Sequence, residues 1–501
     1  MQLPLLSYLI FTPIIGGLIC LCIPQRNSRI VKSFAIVLSI IFLALSVYLL
    51  VHFDPSMASM QWSETALWMP VLNVYYYVGV DALSLALIGL SSLINLFIVL
   101  FIASKTMEKS NHYLAAFLMM QGFICGAFAA VDAILFYTFW EASLIPLFLV
   151  IGIWGGDNRR YASIKFFLYT LLGSIFLLTA ILYLHHKTLS FNIMDFQAVH
   201  LDFHAQCGLF IAFLLAFGIK LPLWPVHTWL PDAHVEAPTA GSMLLAAIVL
   251  KMGAYGLLRF ILPIVPDASR FFASFMMILS LIAIIYIAVV ALAQRDLKKL
   301  IAYASISHMG FVTLGIFSSY LIIAPITFDA YPTLGLQGAV IQLFSHAFIS
   351  AALFLCIGLL YERTHTRLIN DYAGIAKPMP VFSSYFLLFV LANCGFPGTS
   401  GFVAEFFVIL SVFKAKIIYA IIASLSLVLS AYYGLDMIKK VLWGPVKKGM
   451  ECLEDVQGMD KLLLFLFACF ILGIGLYPNT ILNFMQSFLD RLLVQMQHSK
   501  I

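Results

Sequence analysis

Apolar runs of about 20 residues, separated by short polar connections, follow one another along nearly the whole of this 501-residue chain. A run of that length, coiled as a helix, matches the roughly 30 Å hydrocarbon layer of a bilayer. Within such a layer the backbone N–H and C=O groups must be satisfied internally, so spanning segments are helices or closed barrels, and runs this long are helices. With 63% of residues hydrophobic and 10% charged, against about a quarter charged in soluble domains, the expected fold is an all-α polytopic membrane protein. The runs predict about fourteen transmembrane helices, beginning near residues 3, 30, 79, 112, 132, 163, 208, 241, 272, 300, 337, 380, 417 and 461. The first run has no basic residue before it and Arg26, Arg29 and Lys32 after it, the reverse of a signal peptide, which predicts a retained first helix.

Lysines and arginines orient such a chain. One alternating set of connections holds basic clusters such as Arg159, Arg160 and Lys165, or Arg295, Lys298 and Lys299; the other set is sparse. The positive-inside rule then puts both termini on the non-cytoplasmic side. The same distribution explains the net charge of +5 without a nucleic-acid partner. Two lysines belong to neither set, Lys220 and Lys251. Residues 53–78 lack Lys and Arg but carry Trp62, Trp68 and Tyr75, Tyr76 and Tyr77, as expected of an external loop with an interfacial aromatic belt. The eight cysteines are scattered and form no CxxC pair, so they read as packing residues without a metal or iron–sulfur site.

An isolated charge at membrane depth costs about 2.5–3.5 kcal/mol on insertion scales, which makes an intramembrane lysine a candidate functional group. Lys220 is followed at once by Pro222 and Pro225. Proline removes a backbone donor and breaks the helix, a defect tolerated in a membrane only where the freed groups line a cavity or meet neighbours. A second break is legible at residues 394–401, Cys-Gly-Phe-Pro-Gly-Thr-Ser-Gly around Pro397, inside a run too long for one span, and Glu405 follows it. These are the seventh and twelfth helices. Interrupted helices at matching positions point to inverted repeats, so we expect two inverted five-helix repeats with discontinuous seventh and twelfth helices. The expected division is 1–111 for three helices and the external loop, 112–262 and 263–440 for the repeats, and 441–501 for helix 14 and a tail.

The other ionisable residues of the apolar runs complete a candidate proton relay. Glu141 lies five residues before the kinking Pro146; beside Lys220 it could trade protons near neutral pH, or simply form a static ion pair. Lys251 is too deep in its run to snorkel easily and suits a stepping stone. Glu405 could release a proton, or cap the broken helix. His308 and His346, with Ser305, Ser307 and Ser345 close by, titrate in the useful range, although a satisfied core histidine is the commoner case. His227 follows the first break and could mark the cytoplasmic mouth. Asp81 and Asp132 fall near span ends, where solvation is cheap. No GxGxxG or GxxxxGK[ST] occurs, so the energy source lies outside the chain.

The stretches KLPLWPVHTWLPDAHVEAPTAGSMLLAAIVLKMGAYG, FYTFWEASLIPLFLVIGIWG, AQRDLKKLIAYASISHMGF and GFPGTSGFVAEF resemble the antiporter-like proton-translocating subunits of respiratory complex I and of multisubunit cation/proton antiporters. The likeness runs over most of the chain. It implies that Glu141 and Lys220 are a coupled pair, that Lys251 is the central relay and Glu405 the exit-side group, and that water links the transfer through His308. It implies no cofactor here, with flavin, iron–sulfur clusters and quinone in partner subunits. Other membrane subunits, including sister antiporter-like subunits on either side, would be partners in a bacterial inner membrane, with both termini periplasmic. An alternative within the resemblance is a subunit of a Na⁺/H⁺ antiporter or of a membrane-bound hydrogenase. An alternative outside it is a cytochrome with His308 and His346 as haem ligands, which would leave the four buried charges unexplained.

Overall fold

In the computed structural model, which describes residues 4–57, 59–322 and 333–501, the apolar runs are helices. Thirteen helices among the described residues are long and apolar enough to cross a membrane. The long run at 380–413 is two shorter helices, Pro380–Asn393 and Ser400–Ala415, and completes the expected set as an interrupted span. Its gap turns on Gly395 and Gly398, whose φ values of +72° and +88° are open to glycine and strained for other residues. Gly401 is required for a different reason, since any Cβ there would strike the carbonyl oxygen of Ala392. The seventh helix, Phe203–Lys220, stops at Lys220 and gives way to turns before the short helix Trp229–Glu236. Both expected interruptions are therefore present.

Burial sorts the helices. The apolar windows of Thr239–Ile264 and Leu334–Thr364 are 100% buried and that of Leu297–Ile322 is 94% buried, whereas Gln25–Val51, Ile417–Leu442 and Gly458–Leu476 are 33% buried. The first three are enclosed by protein and so can carry polar and ionisable groups at membrane depth; the others turn most of their surface outward, as lipid-facing helices do. Lys251, His308 and His346 all lie on the enclosed helices.

The chain forms two compact units. One comprises Met1–Lys220, Ile248–Phe271 and Phe484–Ile501; the other comprises Leu221–Ala247 and Phe272–Asn483.

Two elements differ from expectation. Residues 61–80 form a two-stranded antiparallel hairpin, Gln61–Met69 with Val74–Val80, in which Thr65 faces Tyr77 and Leu67 faces Tyr75. Asn73, in left-handed conformation, makes its turn. The hairpin has a packing role: the Glu64 carboxylate accepts from the backbone N–H of Leu6 at 2.7 Å and of Ser7 at 3.1 Å. It thereby caps the first helix, Leu5–Cys22, whose own N-cap residue, Pro4, makes no side-chain cap. The expected tail is also a helix, Asn479–Gln497. It buries Met485, Leu489, Leu492 and Met496 on one face and is held by Arg491, whose Nη1 donates to the Met57 carbonyl at 2.7 Å.

Candidate functional site

In the first unit the Lys220 ammonium ends a helix, where the partial negative charge of the carbonyl terminus favours a cation. Its side chain is buried, at 1% exposure. The Nζ atom lies 3.7 Å from the centroid of the Trp140 ring, a cation–π contact, and it hydrogen-bonds no protein atom among the described residues. The next residue, Glu141, accepts a hydrogen bond from Ser174 Oγ, and Trp140 Nε1 donates to that same hydroxyl at 3.3 Å. Ser174 is brought there by Gly173: a Cβ at 173 would stand 3.3 Å from the Ala216 carbonyl oxygen, so the Arg159–Thr188 helix packs tightly on the Phe203–Lys220 helix. Glu141 and Lys220 are close enough for their charges to act on each other. The helix bearing Glu141 breaks two residues on, at Ser143, just before Pro146. An ammonium so held has an aromatic face, a helix end and a carboxylate to stabilise its charge. It can also lose a proton without stranding a hydrogen-bond acceptor.

Lys251 is fully buried. Its helix is α-helical at residues 250–256, with wider π-helical turns on either side at Leu245–Val249 and Leu257–Ile261. Such turns insert an extra residue and often mark functional positions; no periodicity in the sequence announces them.

In the second unit His308 and Glu405, 97 residues apart, meet: His308 Nδ1 lies 2.9 Å from Glu405 Oε1. The His346 ring centroid is 6.0 Å from that of His308, and Ser345 Oγ donates to Ser400 Oγ at 2.9 Å. A pocket of about 10 Å³, measured as room for the centre of a water molecule, is lined by His308, Gln342, His346, Asn393 and Glu405. His308 Nε2 and Gln342 Oε1 are buried and have no protein hydrogen bond among the described residues. The pocket is thus polar and wide enough for about one water. Glu405 lies in the second turn of the Ser400–Ala415 helix and pairs with His308 rather than with the first-turn N–H groups.

His227 is buried in the turns after Lys220, and its carbonyl accepts from Leu230 N at 3.1 Å. Pro222 is buried there as well, whereas Pro397 is exposed. Asp132 is an N-cap, its Oδ1 accepting from Ile134 N and Leu135 N; burial pushes its carboxyl up from the usual carboxylate range, and these N–H donors oppose the shift. Asp81 is not solvated as expected. It is buried and forms an ion pair with Arg259 at 2.6 Å, which Tyr255 and Ser84 join. Arg259 and Lys298, both counted among the interfacial cations, are buried too. Each sits near a span end, where a loop count assigns it to the interface, while neighbours distant in sequence enclose it.

Residues 130–430 match the family model described as NADH:quinone oxidoreductase/Mrp antiporter, TM. The chain is 39% identical to NADH-quinone oxidoreductase subunit M of Rickettsia typhi over 504 residues, covering 99% of this chain and 100% of that one. It is 41% identical to subunit M of Rhodobacter capsulatus, covering 95% and 94%, and 40% identical to NADH-ubiquinone oxidoreductase chain 4 of Chondrus crispus, covering 96% and 97%. Among solved structures it resembles a chain of respiratory complex I from Thermus thermophilus with bound NADH, with a TM-score of 0.87, 30% identity and coverage of 98% and 99%. A chain of the Mrp complex from Dietzia sp. shares the fold, at a TM-score of 0.84, 20% identity and 99% coverage of both chains.

Proposed function

The chain belongs to the NADH:quinone oxidoreductase/Mrp antiporter transmembrane family, and from that premise we propose that it translocates protons as an antiporter-like membrane subunit of an NADH–quinone oxidoreductase. Electron transfer from NADH to quinone takes place in partner subunits, which hold the flavin, the iron–sulfur clusters and the quinone. This chain carries protons through Glu141, Lys220, Lys251 and Glu405, with His308, His346 and His227 as intermediates and internal water between them. The observation that carries the reading is the Lys220 ammonium: buried, at a helix interruption, within electrostatic reach of Glu141, and free of any fixed protein hydrogen bond among the described residues.

Moving one charge against 100 mV takes about 2.3 kcal/mol, so redox chemistry in the partners must bias where the proton rests. When Glu141 draws close to Lys220 both charged forms are favoured; when the two separate, burial favours the neutral forms and a proton passes on. Residues 112–262 and 263–440 act as the two repeats, each with one broken helix and its charges. Sister antiporter-like subunits flank the chain in a bacterial plasma membrane, with both termini periplasmic. The full-length likeness to subunit M and chain 4 relatives favours this reading over a subunit of a multisubunit Na⁺/H⁺ antiporter or of a membrane-bound hydrogenase.

Glu141→Gln and Lys220→Ala test it in the assembled complex. Both should abolish NADH-driven proton pumping and depress quinone reduction; unchanged pumping and turnover in either would refute the assignment.

A further inference from the structure

The short helix Trp229–Glu236, which takes up the chain after the break at Lys220, ends in an unusual way. Pro238 stops it, and its last carbonyls have no helical partners. Three side chains supply them. Ser242 Oγ donates to the His234 carbonyl at 3.1 Å, Arg367 Nη1 donates to the Val235 carbonyl, and Lys298 Nζ donates to the Ala237 carbonyl at 2.6 Å. Two of these are cations at a helix C-terminus, where the macrodipole favours them. Lys298 is 5% exposed, so it does this at a cost in desolvation that a surface cap would not incur. Glu236 and Asp296 lie close enough for their charges to act on it.

The two cations are themselves locked together. Asp296 Oδ1 accepts from the N–H groups of Lys298 at 2.7 Å and Lys299 at 3.1 Å, capping the Leu297–Ile322 helix, and Asp296 Oδ2 lies 3.5 Å from Arg367 Nε. Leu297 N donates to the Arg367 carbonyl, and Ile369 N donates to that of Arg295. The helix that starts from this lock carries His308 ten residues on, a rise of about 15 Å. The other histidine helix, Leu334–Thr364, also holds the short helix. Phe354 stacks on His234 at 4.4 Å, and a Cβ on Gly358 would collide with Thr239, which starts the helix that follows. The helices that carry His308 and His346 are therefore the ones that grip the segment following Lys220.

We propose that Lys298 and Arg367 are positioning residues that tie the Trp229–Glu236 helix to the His308–Glu405 pair, so that a change of charge at that pair shifts the segment leading from Lys220. The inference rests on the proton-transfer reading above.

Its test uses the whole complex. Lys298→Met removes the donor and keeps the apolar stem, and we expect it to assemble normally and to lower NADH–quinone turnover roughly tenfold, as small misplacements of reacting groups do. Lys298→Arg restores a cationic donor and should recover most of the turnover, which a mere volume effect would not predict. Hydrogen exchange over residues 229–237 should rise in Lys298→Met, and should also change in Glu405→Gln, whose substitution lies elsewhere in the chain. If Lys298→Met fails to assemble, Arg367→Gln at the partly exposed member decides by the same readings. Wild-type turnover per assembled complex in the deciding variant, or exchange at 229–237 indifferent to Glu405→Gln, would overturn the proposal. Glu141→Gln serves as the control: if it abolishes pumping while these variants are silent, only the positioning role is lost, and if it too is silent the proton-transfer reading goes with it.

Discussion

The two polar clusters handle a buried charge in opposite ways. In the first unit Lys220 is held by an aromatic face and a helix terminus, with Glu141 beside it bonded to a serine. In the second, Glu405 is bonded directly to His308 at 2.9 Å. The first arrangement leaves the ammonium without a fixed acceptor among the described residues, so its proton is held by field and not by geometry. The second fixes donor and acceptor in contact, so a proton there has a defined path of one hydrogen bond. A third buried pair, Arg259 with Asp81, is bonded at 2.6 Å and further tied to Tyr255 and Ser84. It has the satisfied, closed character of a structural ion pair. Loosely held charges suit transfer, and fully satisfied ones suit support.

Substitutions can break this ordering. The largest effect is expected at Lys220→Met, which removes the only titratable atom of its side chain and preserves its length. Pumping should fall on the order of a hundredfold or more, the scale of a lost acid–base group, with the assembled complex present at normal levels by subunit content. Arg259→Met should do the reverse. It strands Asp81 as a buried carboxylate, which costs about 3–5 kcal/mol, so thermal stability and assembly should drop while turnover per assembled complex stays near wild type. A variant of Arg259 that assembled well and failed to pump would erase the distinction between supporting and transferring charges.

Glu405→Gln comes next and separates charge from shape. Glutamine still accepts a hydrogen bond from His308, but a neutral bond is weaker than a charge-assisted one by about 1 kcal/mol, or roughly fivefold in rate. Pumping reduced by about that factor would mean that the bond matters more than the charge; a loss as deep as that at Lys220 would mean that the carboxylate is itself a proton carrier.

Much of this was legible in the chain. Lys220 ahead of Pro222 and the Gly-Phe-Pro-Gly run ahead of Glu405 announce both interruptions, because proline and glycine act on the backbone locally. The meeting of His308 with Glu405 was not legible, since it depends on how helices 97 residues apart pack. The Asn479–Gln497 helix is hidden in the sequence because it is amphipathic and its apolar face is diluted in a window that counts total apolarity. The hairpin at residues 61–80 is hidden because tryptophan and tyrosine mark a membrane interface and a strand equally well. A count of loop charges places Arg259 and Lys298 at interfaces because it measures distance along the chain and not enclosure by other helices.

The smallest effect sharpens the comparison most. Trp140→Leu keeps Glu141, Ser174 and Lys220 but removes the ring beneath the ammonium, a contribution of about 0.5–2 kcal/mol, together with the Nε1 donor to the Ser174 hydroxyl. Because that contact stabilises only the charged form of Lys220, its loss should make the lysine easier to deprotonate. Turnover should therefore change severalfold, with the alkaline limb of its pH profile displaced to lower pH, whereas a packing defect would lower activity without moving that limb. The matching substitution in the second cluster, Gln342→Leu, removes a pocket-lining amide that has no counterpart in cation binding, and should lower the rate without displacing the profile. If Trp140→Leu behaved like Gln342→Leu, the aromatic face would be filling space, and Lys220 would owe its charge to Glu141 and the helix end alone.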